Sequence, residues 1–483
     1  MTDKMEIKPD PARLISALSH IGYKLEDSIS DLVDNSISAH AKNVLIRFLH
    51  DGENITQILV ADDGVGMRPS ALKESMRFGS AEVSDISSLG KYGLGLKLAS
   101  LAYCNDLRVI SKVDRSYSGL SWSVEGISSG WQCERLGKQT CGNLLKKEFG
   151  PVSFAENGTV VQWCDLKNLP THKKGLRSLL GGIEKRLRLH IGTRFHRFIQ
   201  GERVSIHMDQ QLSHGEPEDY WVTIQPLDPF GYEKSGNEEF PSKFRSPPIG
   251  GVGNIEFEAH IWPPKSESEN YRLGKRTSSS QGFFVYRNDR LIQAGGWLGL
   301  VNDETEAHSS LARIKMDLPP GLEDLFSLNV QKSSVIPPVE FPEAIKNSIT
   351  REGLTWDHYR SAAISEYRMA NHVSPKPVFY IKGKNQPGSC GQKGRPAAPV
   401  GLRWSKNKDA PAVVFDGQNL VFNKKLNFKK EVYAPDYLHR ILAEIVLSGI
   451  NDQGSKSAKK ENGIPFREDL NDVLQAILGV DYS

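Results

Sequence analysis

Apolar residues recur at helical spacing near the start of the chain and then switch to the spacing of strands. Pro11–Ser19 reads as a short helix. In Leu25–Ala41, the residues Leu25, Ile29, Leu32, Val33 and Ile37 line one helical face. The other face carries Asp27, Asp31, Asp34 and Asn35, and residues four apart stand one above the other, so Asp31 and Asn35 share a direction. Strands are expected at Val44–His50 and Ile55–Ala61, the second running into D-D-G-V-G-M (Asp62–Met67). F-G-S (Phe78–Ser80) and L-G-K-Y-G-L-G-L-K (Leu89–Lys97) follow, and Leu96–Ala102 reads as the next helix.

Further along, Ile183–Ile199 reads as an amphipathic helix whose polar face holds Lys185, Arg186, Arg188, Arg194, His196 and Arg197. That face is either simply solvated or DNA-contacting. Strands are expected at Val204–Met208, Trp221–Ile224, Ile255–Ile261, Phe283–Tyr286 and Leu311–Asp317, with Pro264–Gln281 as a polar loop. Gly282–Ile292 reads as a hairpin turning at Arg-Asn-Asp. Pro342–Met369 looks helical, Ser374–Ala412 reads as a linker, Val413–Phe422 as a hairpin around Asp416–Gly417, and Tyr437–Leu447 and Asp469–Leu478 as helices.

With 483 residues the chain exceeds one compact core. The pattern divides it at 1–200, 201–345 and 346–483. A formal net charge of +3 argues for no particular partner, and no apolar run approaches the ~20 residues of a membrane span. The opening MTDKMEIKPD has no apolar core, so a secretory signal is not expected. The five cysteines are scattered without a C-x-x-C pair, which fits reduced thiols in a cytoplasmic protein.

The glycine clusters change the picture, because their order and spacing suit a nucleotide. A carboxylate at a strand end, Asp62, can accept the exocyclic amine of adenine. Gly64 and Gly66 let the backbone come close to a flat ring, and Met67 offers an adaptable apolar contact. Gly90, Gly93 and Gly95 precede an apolar helix, so backbone N–H groups of Gly90–Gly95, including Tyr92 and Leu94, face phosphates, with Lys91 and Lys97 adding positive charge. Met76–Leu89, which contains Gly79 and Ser80, is placed as a lid. No G-x-x-x-x-G-K-[ST] occurs, and Leu98 stands where a dinucleotide fingerprint needs Gly or Ala. His20 reads as an ordinary helix-end residue.

On these motifs the chain resembles the GHKL ATPases (gyrase B, heat-shock chaperones, histidine kinases, MutL), nearest to the MutL and MORC-like branch. The resemblance covers roughly residues 10–340 and is strongest over the first ~165. It implies an α+β fold: a Bergerat ATP-binding α/β sandwich, a ribosomal-protein-like transducer domain and a mixed α/β extension. It maps the water-activating carboxylate to Asp31, the Mg²⁺ ligand to Asn35, the adenine contact to Asp62, and a Gly-Thr element to Gly158–Thr159. The transducer lysine that reaches the γ-phosphate maps to Lys332. The family's base is usually Glu, and Asp31 is one methylene shorter, where ~1 Å of misplacement costs on the order of 10²-fold in rate. The implied function is a Mg²⁺-dependent ATPase closing as an ATP-dependent homodimeric clamp on duplex DNA, in genome maintenance or anti-phage defence. Two further readings stay open: a chaperone-like or signalling ATPase with a protein partner, and a nucleotide-switched interaction protein with little turnover.

Overall fold

A computed structural model describes residues 10–19, 22–78, 95–170, 175–214, 220–250, 253–274, 279–301, 306–319, 322, 325–328 and 334–371, and short strands between 379 and 465. Two compact units divide at residues 370 and 371.

The first unit opens with α1 (Pro11–Ser19), α2 (Leu25–Ser38), β1 (Asn43–His50), β2 (Ile55–Asp62), α3 (Pro69–Ser75) and α4 (Gly95–Leu101). There follow β3 (Cys104–Val113), β4 (Ser116–Ser123), α5 (Val124–Ser128), β5 (Glu134–Arg135), α6 (Lys138–Leu145) and β6 (Gly158–Leu166). Then come α7 (Leu176–Arg194), α8 (His196–Gln200), β7 (Ser205–Leu212) and β8 (Val222–Thr223). The strands form one eight-stranded sheet in the order β5-β4-β3-β6-β2-β1-β7-β8. The sheet thus continues past residue 200, where the hydrophobic pattern suggested a boundary.

Strand β1 shows why the sheet reads as a nearly unbroken apolar run: both of its faces are covered. Val44, Ile46 and Phe48 pack with Ile29 and Leu32 of α2 and Leu187 and Ile191 of α7. Leu45 and Leu49 face the opposite way, onto Cys141 and Leu144 of α6. The one charge in the run, Arg47, is buried and meets Asp209 of β7 at 2.6 Å.

The second sheet uses β9 (Ser242–Ile249), β10 (Gly253–Ile261), β11 (Gly282–Arg287), β12 (Arg290–Ala294) and β13 (Ala312–Asp317), after which come β14 (Ser327–Leu328) and β15 (Val335–Ile336) as a separate pair. Its order is β12-β11-β13-β10-β9. A four-residue helix, α9 (Glu269–Arg272), sits within the expected polar loop. Helices α10 (Phe341–Lys346) and α11 (Trp356–Asn371) cover one face through Phe341, Ile345, Trp356 and Tyr359. Helix α7 serves both sheets: Leu180, Ile183, Leu187 and Ile191 enter the first core, while Leu189 packs against the cluster of Phe284, Tyr286 and Leu291.

Several expectations shift. The basic helix expected to run unbroken over 183–199 stops at Arg194 and restarts at His196. The expected helix over 342–369 is interrupted between Lys346 and Trp356, where Ile349 bridges Arg245 and Thr355. The hairpin turn is Asn288–Asp289, both with positive φ (47° and 64°), so Arg287 and Arg290 face each other as the last strand pair. Strands β3, β4 and β9 carry polar or proline-containing sequences, such as S-K-F-R-S-P-P-I, that mask the strand period.

In the second unit β16 (Phe379–Tyr380), β17 (Pro399–Ser405), β18 (Val413–Phe415), β19 (Asn419–Asn423) and β20 (Ile464–Pro465) form one sheet. The expected hairpin is present, with Val413 opposite Phe422. Parts of the expected linker are strands β16 and β17. The helices expected at 437–447 and 469–478 lie outside the described residues.

Candidate functional site

Strand β2 ends on Asp62, which pairs in register with Thr159 of β6, and Thr159 pairs in turn with Ser111 of β3. Three adjacent strands thereby bring three polar side chains to one end of the sheet. Asp62 is 5% exposed. Its carboxylate accepts from Ser36 Oγ of α2 at 2.9 Å and from the Gly64 N–H at 3.0 Å. Ser111 Oγ lies 2.9 Å from Thr159 Oγ1 and accepts from the Met67 N–H at 2.7 Å. Burial pushes the Asp62 carboxyl up to about 6, against the opposing pull of the Gly64 N–H and the Ser36 hydroxyl. A carboxylate already desolvated and aimed by two donors is a pre-organised acceptor for an amine.

The turn after Asp62 needs its glycines for reasons within the protein. Gly66 has φ +69°, and a Cβ there would stand 2.1 Å from the Lys112 carbonyl oxygen. At Gly64 a Cβ would meet the Ala39 carbonyl at 2.7 Å. Gly66→Ala is therefore expected to lower unfolding free energy on the order of 2–4 kcal/mol. A denaturant midpoint equal to wild type would refute that.

Helix α2 does not present its carboxylates to solvent. Asp31 and Asp34 are buried, and Asn35, one turn after Asp31, is exposed. Asp31 lies against the start of α4, where a Cβ on Gly95 would be 3.5 Å from its Oδ2. On its other side stands a cation from the second sheet: Arg290 Nη2 is 3.5 Å from Asp31 Oδ1, and Nη1 is 2.9 Å from Asp34 Oδ2. Asp27, on the same face, is 3.3 Å from His190 and 3.9 Å from Arg194 of α7. Burial raises the Asp27 carboxyl despite Arg194 and lowers the Arg194 guanidinium to about 10, with Arg290 adding to that fall.

Lys97 is buried in α4 and donates to the Arg77 carbonyl at 2.6 Å, with its ammonium 6.0 Å from the Phe78 ring centroid. Desolvation lowers it to about 8. Its charge is thus engaged by the first residues of the expected lid. Gly79, Ser80, Gly90, Lys91, Tyr92, Gly93, Leu94, Lys332 and His20 lie outside the described residues. Among the described residues no group of three or more His, Cys, Asp or Glu could hold a metal. If Mg²⁺, an ion that readily keeps water for its other positions, is held here, exposed Asn35 is the α2 side chain that would offer it an oxygen.

Sequence reasoning missed Ser36, Ser111, Arg194 and Arg290 as site residues. Arg290 did leave a signal: an arginine inside the buried run F-F-V-Y-R-N-D-R-L-I requires a counter-charge. Ser111 left none, since only strand pairing brings it to Thr159.

The buried Asp62 turn and the α2–α4 pairing lie in the part of the chain that matches a GHKL-type ATPase domain. Residues 23–159 match the family described as histidine kinase-, DNA gyrase B-, and HSP90-like ATPase. The chain is similar to the DNA mismatch repair protein MutL of Dictyoglomus thermophilum, 29% identical over 36% of this chain and 28% of that protein. It is similar to MutL of Dictyoglomus turgidum at 31% identity, over 26% of this chain and 22% of that one. Protein MICRORCHIDIA 6 of Arabidopsis thaliana is 27% identical over 18% of this chain and 13% of its own. The chain thus spans less than a third of the length of these curated relatives. The crystal structure of the N-terminal domain of a DNA repair protein aligns over 74% of this chain and 98% of its own, at 14% identity and a TM-score of 0.41. Among the described residues, no helix is long and apolar enough to cross a membrane.

Proposed function

We propose that this protein binds ATP with Mg²⁺ at the end of the first sheet and hydrolyses it, with Asp31 positioning or deprotonating the attacking water. The observation that carries this reading is the desolvated Asp62 carboxylate, held by Ser36 and Gly64 beside Thr159. It supplies a directed acceptor for adenine next to the helix that bears Asp31 and Asn35. In this reading Asn35 would give Mg²⁺ its protein oxygen, the ion would supply charge neutralisation for the phosphates, and the second sheet acts as a transducer through which two chains close as an ATP-gated clamp. Duplex DNA is the proposed client, because the named function of the MutL relatives is DNA mismatch repair. Service in genome maintenance or anti-phage defence follows from that client.

The test is phosphate release by wild type, Asp31→Ala and Asn35→Ala, each with and without duplex DNA at two salt concentrations. The expected result is turnover lost in Asp31→Ala, an increased Mg²⁺ requirement in Asn35→Ala, and wild-type turnover stimulated by DNA with affinity falling steeply as salt rises. Turnover without any DNA effect would instead favour a protein client. Nucleotide binding with wild-type hydrolysis no faster than Asp31→Ala would make the protein a switch.

A further inference from the structure

We propose that Arg290 is a positioning residue for Asp31, so that strand β12 of the second sheet sets the geometry of the carboxylate on which hydrolysis depends. The inference rests on the ATPase reading above.

The placement is specific. Arg290 and both carboxylates it meets are nearly solvent-free, with side-chain exposures of 2% and 1%. A buried guanidinium is costly unless it is paired, so this residue ties β12 to α2 rather than packing there by chance. The strand is also fastened to α7, because Arg194 Nη1 donates to the Leu291 carbonyl at 3.0 Å and to that of Ile292. The Arg290 guanidinium lies 5.7 Å from the Phe195 ring centroid, immediately after α7. Strand β12 of the second sheet and helix α7, with the Phe195 that follows it, therefore converge on one face of α2.

The chemistry explains what such an arrangement does. Asp31 reaches less far than a glutamate, so it cannot compensate for a displaced backbone by bending its side chain. A planar guanidinium beside Oδ1 orients the carboxylate and favours its ionised form. The opposite oxygen, Oδ2, is the one on the Gly95 side, where the glycine-rich segment begins α4. Among the described residues, the charged and titratable groups placed near Asp31 include Asp27 and Asp34 of α2, Tyr23 before it, His190 and Arg194 of α7, and Arg290 of β12. From α4, Gly95 lies against Asp31. Withdrawal of β12 would remove a cation that stands 3.5 Å from Asp31, so movement of the second sheet would be felt directly by the base.

The experiment uses the full chain and measures phosphate release from pH 5 to 9, affinity for a fluorescent ATP analogue, and thermal melting. The variants are Arg290→Gln, Arg290→Lys and Asp31→Ala. Arg290→Gln is expected to keep nucleotide affinity within about threefold while kcat falls on the order of 10- to 100-fold. Its acidic limb should move to higher pH by about one unit or more, because the carboxyl loses its cation. Arg290→Lys should recover part of kcat and most of the pH shift. A lower melting midpoint with wild-type kcat and pH profile would make the pair a mere staple between sheets and overturn the proposal. If Arg290→Gln does not fold, Arg290→Lys decides: wild-type kcat there overturns it. Wild type without turnover would sink the ATPase reading and this inference together, and Asp31→Ala with full turnover would remove Asp31 from the reaction and the inference with it. Loss in Asp31→Ala alone would sink only the inference.

Discussion

Asp31→Asn is expected to bind ATP with near wild-type affinity and to hydrolyse it on the order of 10²–10⁴-fold more slowly, the usual share of a positioned acid–base group. The amide keeps the shape of the carboxylate but cannot take a proton from water. Folding should survive, because Arg290 retains Asp34 at 2.9 Å and α2 retains Leu25, Ile29, Leu32 and Val33 in the core. Affinity for a non-hydrolysable analogue, measured beside single-turnover hydrolysis, separates the two effects. Hydrolysis at the wild-type rate would remove Asp31 from the reaction. Loss of binding in equal measure would instead make Asp31 a ground-state contact.

Asp62→Asn is expected to weaken ATP binding by about 10- to 100-fold, the equivalent of a hydrogen bond to a charged acceptor. The effect on stability has the opposite sign above neutrality. The Asp62 carboxyl rises from 3.8 to about 6 on folding, so the folded chain holds its proton at a pH where the unfolded chain has released it. Stability is therefore lost as pH climbs from about 4 to about 6, a cost on the order of 3 kcal/mol that persists above pH 6. Asn carries no such cost. Thermal melting should show Asp62→Asn more stable than wild type at pH 7.5 and no longer so near pH 4. In wild type, ATP affinity should fall as pH drops below about 6, because adenine donates to the ionised form. Melting curves with the same offset at both pH values would show that Asp62 is not desolvated. An affinity unchanged by the substitution would place adenine elsewhere.

The elements nearest the site were legible because their signals are local. Helix α2 declares itself by apolar residues at 3.6 spacing, and β1 and β2 by continuous apolar runs bounded by turn residues. The Asp62 turn declares itself by glycines, one of which occupies a backbone conformation that L side chains rarely adopt. Strands β3 and β4 were not legible: C-N-D-L-R-V-I-S-K-V and S-Y-S-G-L-S-W-S mix polar and apolar residues without a clean period. The burial of Asp31 and Asp34 was not legible for a related reason. Position on a polar helical face does not say what packs over it, and here α4, α7 and β12 do.

By itself the sequence determined the chemistry available at each turn and helix: a carboxylate at the end of β2, glycines beyond it, and an Asp and an Asn one turn apart on α2. These depend on neighbours a few residues away, and backbone sterics and side-chain periodicity act over that range. Tertiary structure alone decided which distant groups complete the site. Ser111 reaches Thr159 because β3 pairs with β6, and Arg290 reaches Asp31 because α7 is packed between the cores of two sheets. Such meetings follow from long-range strand pairing and from the need of a buried cation for a buried anion. That need shows in the sequence as a charge out of place, but its partner is chosen only when the chain closes.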